Sequence, residues 1–135
     1  MENQYIQKRI EINAPIQQVW KVFTDPEITK QLGGYYETDW KVGSSFGFRR
    51  PDGTVVTNGK LLEFQPMRII RHSLFDEATA EAISEVTYTF EEDGTQTVLT
   101  GREDMAQPLD DAAYDDAVTG WEEALSEVKR IAEEV

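Results

Sequence analysis

The C-terminal quarter of the chain carries a periodic apolar stripe, which constrains the fold more than any other feature. After Pro108, apolar and aromatic side chains recur at alternating intervals of four and three residues: Tyr114, Val118, Trp121, Leu125, Val128 and Ala132. This spacing places all of them on one face of an α-helix. Acidic residues lie near its predicted start and Lys129-Arg130 near its end, as the helix dipole favours. About 24 residues at about 1.5 Å each give a rod of roughly 36 Å, long enough to cross a twisted sheet.

Residues 4–32, which precede Gly33-Gly34, predict one strand and two short helices. Residues 4–13 place Ile6, Ile10 and Ile12 on one side of a period-2 pattern that Lys8 interrupts, which is typical of a half-buried strand. Pro15 then fits the first turn of a helix that ends near Thr24. Asp25 is an N-cap residue for a second, short helix that runs to Leu32.

The middle of the chain predicts an antiparallel meander. Short runs rich in β-branched and aromatic residues alternate with turns that contain Gly43, Gly53 and Gly94. We place the strands near residues 35–40, 44–50, 54–64, 67–75, 82–91 and 95–104. Asn58-Gly59 falls inside one of these runs and predicts a β-bulge there. The order of one strand, two helices, about six strands and one long helix predicts an α+β fold, with residues 1–135 forming a single domain.

Composition excludes several classes of function. The 26 acidic residues outnumber the 13 basic ones, and the net charge of −13 repels nucleic acid and anionic membrane surfaces, so neither is an expected partner. The chain has no cysteine and one histidine, which excludes thiol chemistry and multi-histidine metal sites, and we expect no metal and no cofactor. The acidic pairs are interpreted as a solvated surface, with a weak divalent-cation site as the alternative. Without a signal peptide or a run of ~20 apolar residues, a cytoplasmic location is expected.

Five ordered motifs give the chain a resemblance to a known family. They are "INAPIQQVWKVFTDPE", "DWKVGSSFGF", "GKLLEFQPMRII", "SEVTYTFEEDGT" and "GWEEALSEVK". Together they resemble the START-like helix-grip (SRPBCC) superfamily, in particular small bacterial proteins similar to the C-terminal domain of Aha-type activators of heat-shock-protein ATPase. The resemblance implies a bent sheet wrapped around the C-terminal helix, with a cavity that in related families takes lipids, sterols, polyketides or flavonoids. The chain departs from its relatives at "QLGGYY", where many members carry an aromatic pair and where the cavity mouth is expected.

The predicted ligand contacts are apolar and aromatic residues on the inward faces, together with two polar residues of one strand. They are Trp20, Phe23, Leu32, Trp40, Phe46, Phe48, Arg71, Ser73, Val86, Tyr88, Leu99, Tyr114, Val118 and Trp121. Trp20 and Phe23 are equally consistent with plain core packing. Leu32 is expected to shape the cavity mouth together with the two glycines that follow it.

Three hypotheses on function remain open from the sequence. The leading one is the binding of a small, mostly apolar molecule of lipid, polyketide or flavonoid type. The second is an enzyme of the polyketide cyclase or hydrolase type that uses Glu85, Glu103 or His72 as acid or base. We assign no catalytic residue, because no nucleophile motif accompanies His72, which is interpreted as an exposed or hydrogen-bonded strand residue. The third and weakest is a chaperone-associated interaction module that presents its acidic surface to a basic partner.

Overall fold

The computed structural model describes residues 4–76 and 81–134. The elements are strand β1 (Tyr5–Ile12), helix α1 (Ile16–Thr24), helix α2 (Pro26–Thr29), a 3-10 turn (Lys30–Leu32), strands β2 (Tyr35–Glu37), β3 (Ser45–Arg49), β4 (Val55–Gln65), β5 (Ile69–Phe75), β6 (Ala82–Asp93) and β7 (Gln96–Met105), and helix α3 (Asp111–Glu134). This order confirms the predicted α+β arrangement of one strand, two short helices, six strands and one long helix.

The seven strands form one antiparallel sheet in the order β1-β7-β6-β5-β4-β3-β2. From β2 to β7 each strand pairs with the next one along the chain, and β1 joins the far edge beside β7. The two short helices therefore connect opposite edges of the sheet. On the way α1 packs against β6, β7 and α3, so the short helices and the long helix cover the same face.

Proline, aspartate and glycine define the ends of the short helices. Pro15 lies just outside α1 in an extended conformation, so this helix begins one residue later than predicted. The Asp25 carboxylate accepts a hydrogen bond from the Glu27 backbone N–H at 3.0 Å and caps α2. The predicted second helix is α-helical only to Thr29 and continues as the 3-10 turn, which ends where Gly33 takes a φ of 95°.

Strand β4 carries two irregularities, and neither is where the sequence placed one. The predicted bulge at Asn58-Gly59 is wrong, because both residues pair regularly with β3. The register shifts instead near Val56, against β3, and near Leu62, against β5. These shifts bend the strand. Gly59 is needed for a different reason, since a Cβ there would overlap the carbonyl oxygen of Ser73 on the neighbouring strand.

Helix α3 has the predicted length of 24 residues, but its burial is uneven. The Asp110 carboxylate caps it by accepting a hydrogen bond from the Ala113 backbone N–H at 2.8 Å. The buried residues are concentrated from Trp121 onward, whereas Tyr114 and Val118 are only half-buried. The helix packs chiefly against β1, α1 and β7. It therefore lies towards the β1 edge, which leaves room over the opposite part of the sheet.

One apolar core joins the sheet to α1 and α3. Its completely buried members include Ile6, Ile12, Val19, Leu61, Leu99 and Ile131. Aromatic rings extend this core towards β2 and β3, where Tyr36 stacks on Phe46 with 5.1 Å between ring centroids. Among the described residues, no helix has the length and apolar character needed to cross a membrane.

Candidate functional site

A cavity of about 480 Å³ lies between α3 and the part of the sheet that the helix leaves uncovered. Its volume falls within the range of about 300–1,000 Å³ that small-molecule sites occupy. Several predicted ligand contacts line it: Phe23, Leu32, Phe48, Val86, Tyr88 and Trp121. They come from α1, the 3-10 turn, β3, β6 and α3, so five separate elements form the walls. Their contact with a ligand stays a prediction.

Three other predicted contacts lie in the aromatic core instead of the cavity lining. They are Trp20, Trp40 and Phe46. The Trp20 ring packs edge-on against Phe90 at 5.0 Å, and the Trp40 ring lies 5.4 Å from Phe64. Their size and aromatic character fit a cavity wall and a core equally well, which is why sequence alone did not separate the two.

Three further predicted contacts lie away from the cavity for reasons of position. Leu99 on β7 is completely buried in the core, opposite Ile10 of β1. Tyr114 and Val118 occupy the first half of α3, ahead of the cavity. The Tyr114 hydroxyl donates a hydrogen bond to the Tyr5 carbonyl at 3.1 Å and so ties this half of the helix to β1.

The face of β5 that lines the cavity is not the predicted face but the opposite one. Arg71 lies on the outer face of the sheet, where its guanidinium is 3.6 Å from the Glu85 carboxylate. Ser73 accepts a hydrogen bond from the Lys60 backbone N–H at 3.0 Å. Neither residue lines the cavity, whereas His72 and Leu74 both do. Side chains alternate along a strand, so Arg71 and Ser73 share one face of β5 and His72 and Leu74 share the other. A prediction that the first pair faces the cavity therefore excludes the second pair.

His72 is a neutral hydrogen-bond acceptor on the cavity wall. The residue is 6% exposed, and its ring stacks on Phe46 with 4.4 Å between centroids. Burial lowers the pKa of His72 to about 4, although the nearby Ser73 backbone acts in the opposite direction. Nδ1–H donates to the Ser73 carbonyl at 3.0 Å, because a carbonyl oxygen can only accept. The remaining ring nitrogen, Nε2, has no partner among the described residues and carries a lone pair.

Glu103 links the sheet to α3 inside the same cavity. One carboxylate oxygen accepts a hydrogen bond from the Trp121 indole N–H at 2.9 Å, and the other accepts from the Ser84 hydroxyl at 2.8 Å. The indole can approach this closely because Gly101 lies beneath it, where any Cβ would overlap the ring. The result is a fixed carboxylate with a flat aromatic surface beside it.

Two phenols contribute further polar groups to the lining. Burial raises the pKa of Tyr36 and that of Tyr88, so both hydroxyls stay protonated at neutral pH. Neither hydroxyl has a hydrogen-bond partner in the part of the chain that the structure describes. The Tyr88 ring lies 6.5 Å from His72 and 5.5 Å from Trp121, which makes it the centre of an aromatic row along the wall.

The mouth of the cavity is formed by exposed residues of β4 and α3. They are Val56, Gly120, Glu123, Ala124 and Glu127. Sequence reasoning missed this part of the site, although a signal was present. Small residues at 120 and 124 fall one helical turn apart beside Trp121, and small residues on a helix face leave space instead of filling it. Among the described residues, no group of three or more metal-ligating side chains comes together here or elsewhere.

An antiparallel sheet that wraps one long helix and leaves a cavity between them defines a helix-grip, or START-like, domain. The resemblance found in the sequence is therefore confirmed at the level of fold. The sequence profile described as "Activator of Hsp90 ATPase homolog 1-like protein" matches residues 13–133. The chain belongs to this family.

Solved structures of similar proteins share the whole fold. CalU16 from Micromonospora echinospora has a TM-score of 0.77 and 23% identity, over 97% of this chain and 77% of that one. The Aha1 dimer from Colwellia psychrerythraea has a TM-score of 0.78 and 20% identity, over 96% of each chain. DynU16, from the dynemicin biosynthetic locus, has a TM-score of 0.83 and 17% identity, over 98% of this chain and 48% of that one. Such identities show the fold alone. A search of curated proteins found no match.

Proposed function

We propose that this protein binds a small, mostly apolar molecule of lipid, polyketide or flavonoid type in the cavity between the sheet and α3. The observation that carries the proposal is an apolar cavity of about 480 Å³ with three unpartnered polar groups on its wall. These groups are Nε2 of His72 and the hydroxyls of Tyr36 and Tyr88. Among the described residues only Arg71 Nε is fully buried without a hydrogen-bond partner, so these three groups are accessible from the cavity. A guest that supplies matching groups can therefore form hydrogen bonds with them.

Native mass spectrometry of the protein purified from its source organism tests this proposal. We expect a mass excess that corresponds to one small molecule and that is lost when the protein is extracted with organic solvent. The blocking variant is Ala124→Trp, because Ala124 is exposed at the mouth and a large ring there covers the opening. The control is Ser126→Trp, an equally large change at an exposed position of α3 outside the cavity lining.

The two variants separate cavity binding from surface adsorption. Binding in the cavity predicts that Ala124→Trp loses the bound molecule and Ser126→Trp keeps it. Equal retention by both variants places the molecule elsewhere. A protein that carries no molecule, and that retains none of a panel of fatty acids, flavonoids and polyketide-like ring compounds, contradicts the proposal.

An enzyme of the polyketide cyclase or hydrolase type is the second proposal. It is supported by the presence of two groups with acid–base chemistry, His72 and Glu103, on one cavity wall. Glu85, the third group considered from the sequence, lies near Arg71 on the outer face and outside this lining. Glu103→Gln keeps an acceptor for the Trp121 indole but removes the acid–base group. Cyclisation of a poly-β-ketone thioester by the wild type, lost in this variant while binding remains, would support catalysis. Unchanged turnover would exclude Glu103 as the acting group.

A chaperone partner is the third proposal, and it is supported by the family to which the chain belongs. With a net charge of −13, a contact of this kind would be with a basic surface and would weaken as salt is added. The test is the ATPase rate of Hsp90 from the source organism, measured with and without this protein at low and high salt. A stimulation that salt abolishes supports the proposal. A rate that is unaffected at low salt contradicts it.

A further inference from the structure

We propose that the cavity selects uncharged ring compounds that carry a hydrogen-bond donor at their buried end and rejects carboxylates, with Nε2 of His72 as the acceptor that recognises the donor. This inference rests on the proposed binding function. It narrows the ligand class to hydroxylated ring compounds and excludes free fatty acids.

The first support is the fixed orientation of the His72 imidazole. Its Nδ1–H is committed to the Ser73 carbonyl at 3.0 Å, and its face is committed to Phe46 at 4.4 Å. The lone pair of Nε2 is the only hydrogen-bonding position of the ring that remains for a guest. An imidazole in this state binds a hydroxyl or N–H and repels the oxygens of a carboxylate.

The second support is the charge of the lining. Three glutamates line the cavity, Glu103, Glu123 and Glu127, and none of its lining residues within the described part of the chain is lysine or arginine. Arg130 contacts Glu127 at 2.7 Å but does not itself line the cavity. A bound carboxylate would thus meet the like charge of Glu103 inside the cavity and those of Glu123 and Glu127 at its mouth, with no counter-ion in the lining. The Tyr36 and Tyr88 hydroxyls can donate a hydrogen bond to it but do not neutralise its charge. An uncharged ligand pays no such cost.

The third support is the shape of the wall. The rings of Tyr88 and Trp121 lie 5.5 Å apart, and His72 continues the row at 6.5 Å from Tyr88. Phe23 adds a further ring 4.9 Å from Tyr88. Aromatic surfaces of this kind stack on planar rings, which gain more from them than a flexible acyl chain does.

Three probes that share one ring system test the inference: 1-hydroxypyrene, 1-methoxypyrene and pyrene-1-carboxylate. Titrations at about pH 7, followed by probe fluorescence, give their dissociation constants. We expect the hydroxyl compound to bind about 3- to 10-fold more tightly than the methoxy compound, since one neutral hydrogen bond distinguishes them. We expect the carboxylate to bind at least about 10-fold more weakly than the hydroxyl compound.

Variants assign these preferences to named residues. His72→Phe should remove the preference for hydroxyl over methoxy, whereas His72→Gln, which retains an acceptor, should keep part of it. Circular dichroism establishes that each variant is folded. Glu123→Lys should raise the affinity for the carboxylate several-fold. Glu122→Lys changes the net charge equally but lies outside the lining of this cavity, so it should leave that affinity unchanged.

The outcomes distinguish this inference from the function on which it rests. Equal affinity for all three probes, or tightest binding of the carboxylate, overturns the selectivity and leaves the binding function standing. Retention of fatty acids without binding of any of the three pyrene probes also overturns the selectivity and leaves the binding function standing. Failure of every probe and of every compound in the native mass spectrometry panel overturns both.

Discussion

At the scale of single residues, Trp121 shows how the fold brings distant positions together. Its indole lies against Gly101, donates to Glu103 at 2.9 Å and borders the Tyr88 ring at 5.5 Å. The period of α3 predicted that Trp121 faces inward. The need for glycine at position 101 was not visible, because that need comes from a ring contributed by another element.

Replacing Gly101 by alanine tests this contact. The added methyl would overlap the Trp121 ring, so we expect Gly101→Ala to lower the free energy of unfolding by about 1–3 kcal/mol and to shift the indole N–H resonance. The control is Gly120→Ala in α3, where a Cβ meets nothing within 4 Å. That change should stabilise by about 0.5–1 kcal/mol, as expected for glycine replaced by alanine inside a helix. Urea denaturation gives both values. A Gly101→Ala protein as stable as wild type, with an unmoved indole resonance, would contradict the contact.

His72 makes stability depend on pH. Its pKa falls from the ordinary value of 6.5 to about 4 because burial disfavours the charged ring. Between these two values the unfolded chain binds a proton that the folded protein does not, so the free energy of unfolding falls as the pH falls. From about pH 7.5 to about pH 5.5 we expect wild type to lose about 1 kcal/mol more than His72→Phe. Urea denaturation at both pH values measures this. Identical pH dependence in the two proteins would show that His72 is not buried in its neutral form.

At the scale of elements, α3 was well predicted because the period of its apolar residues is a local property of the sequence, although its cap was not predicted. Its N-terminus depends on Asp110, whose carboxylate accepts from the Ala113 N–H at 2.8 Å. We expect Asp110→Ala to cost about 1 kcal/mol of stability, the usual cost of losing a cap. Asp116→Ala, an exposed position past the first turn, is the matched control and should cost less. Equal losses in the two variants would mean that charge near the helix start, and not the cap, stabilises it.

The inward face of β5 was not predictable, and the reason lies in its neighbours. Both faces of this strand carry apolar residues, with Ile69 and Phe75 on one side and Ile70 and Leu74 on the other. Alternation separates the two faces but does not say which one meets the helix. Pairing with β4 and β6 settles this, and both pairings depend on bulges that the sequence did not locate.

At the scale of the whole molecule, the order of elements and the family were predictable, whereas the extent of the cavity was not. Its shape depends on α3 lying towards the β1 edge, and this position follows from packing against α1, β1 and β7 together. Periodicity identifies the buried face of each element but not the gaps between elements. The residues that border the gap, such as Gly120 and Ala124, are small, which indicates free space beside the helix but not how far that space extends.

The most direct test of the binding proposal is a titration of isotope-labelled protein with 1-hydroxypyrene, followed through the Trp121 indole N–H. This group lies in the cavity wall and bonds to Glu103. We expect a saturable shift of this resonance, together with shifts of the backbone amides of residues 72–74 and 86–88, and no change in the first half of α3. An unmoved Trp121 resonance at saturating probe, or shifts confined to the outer face of the sheet, would contradict a ligand site in this cavity.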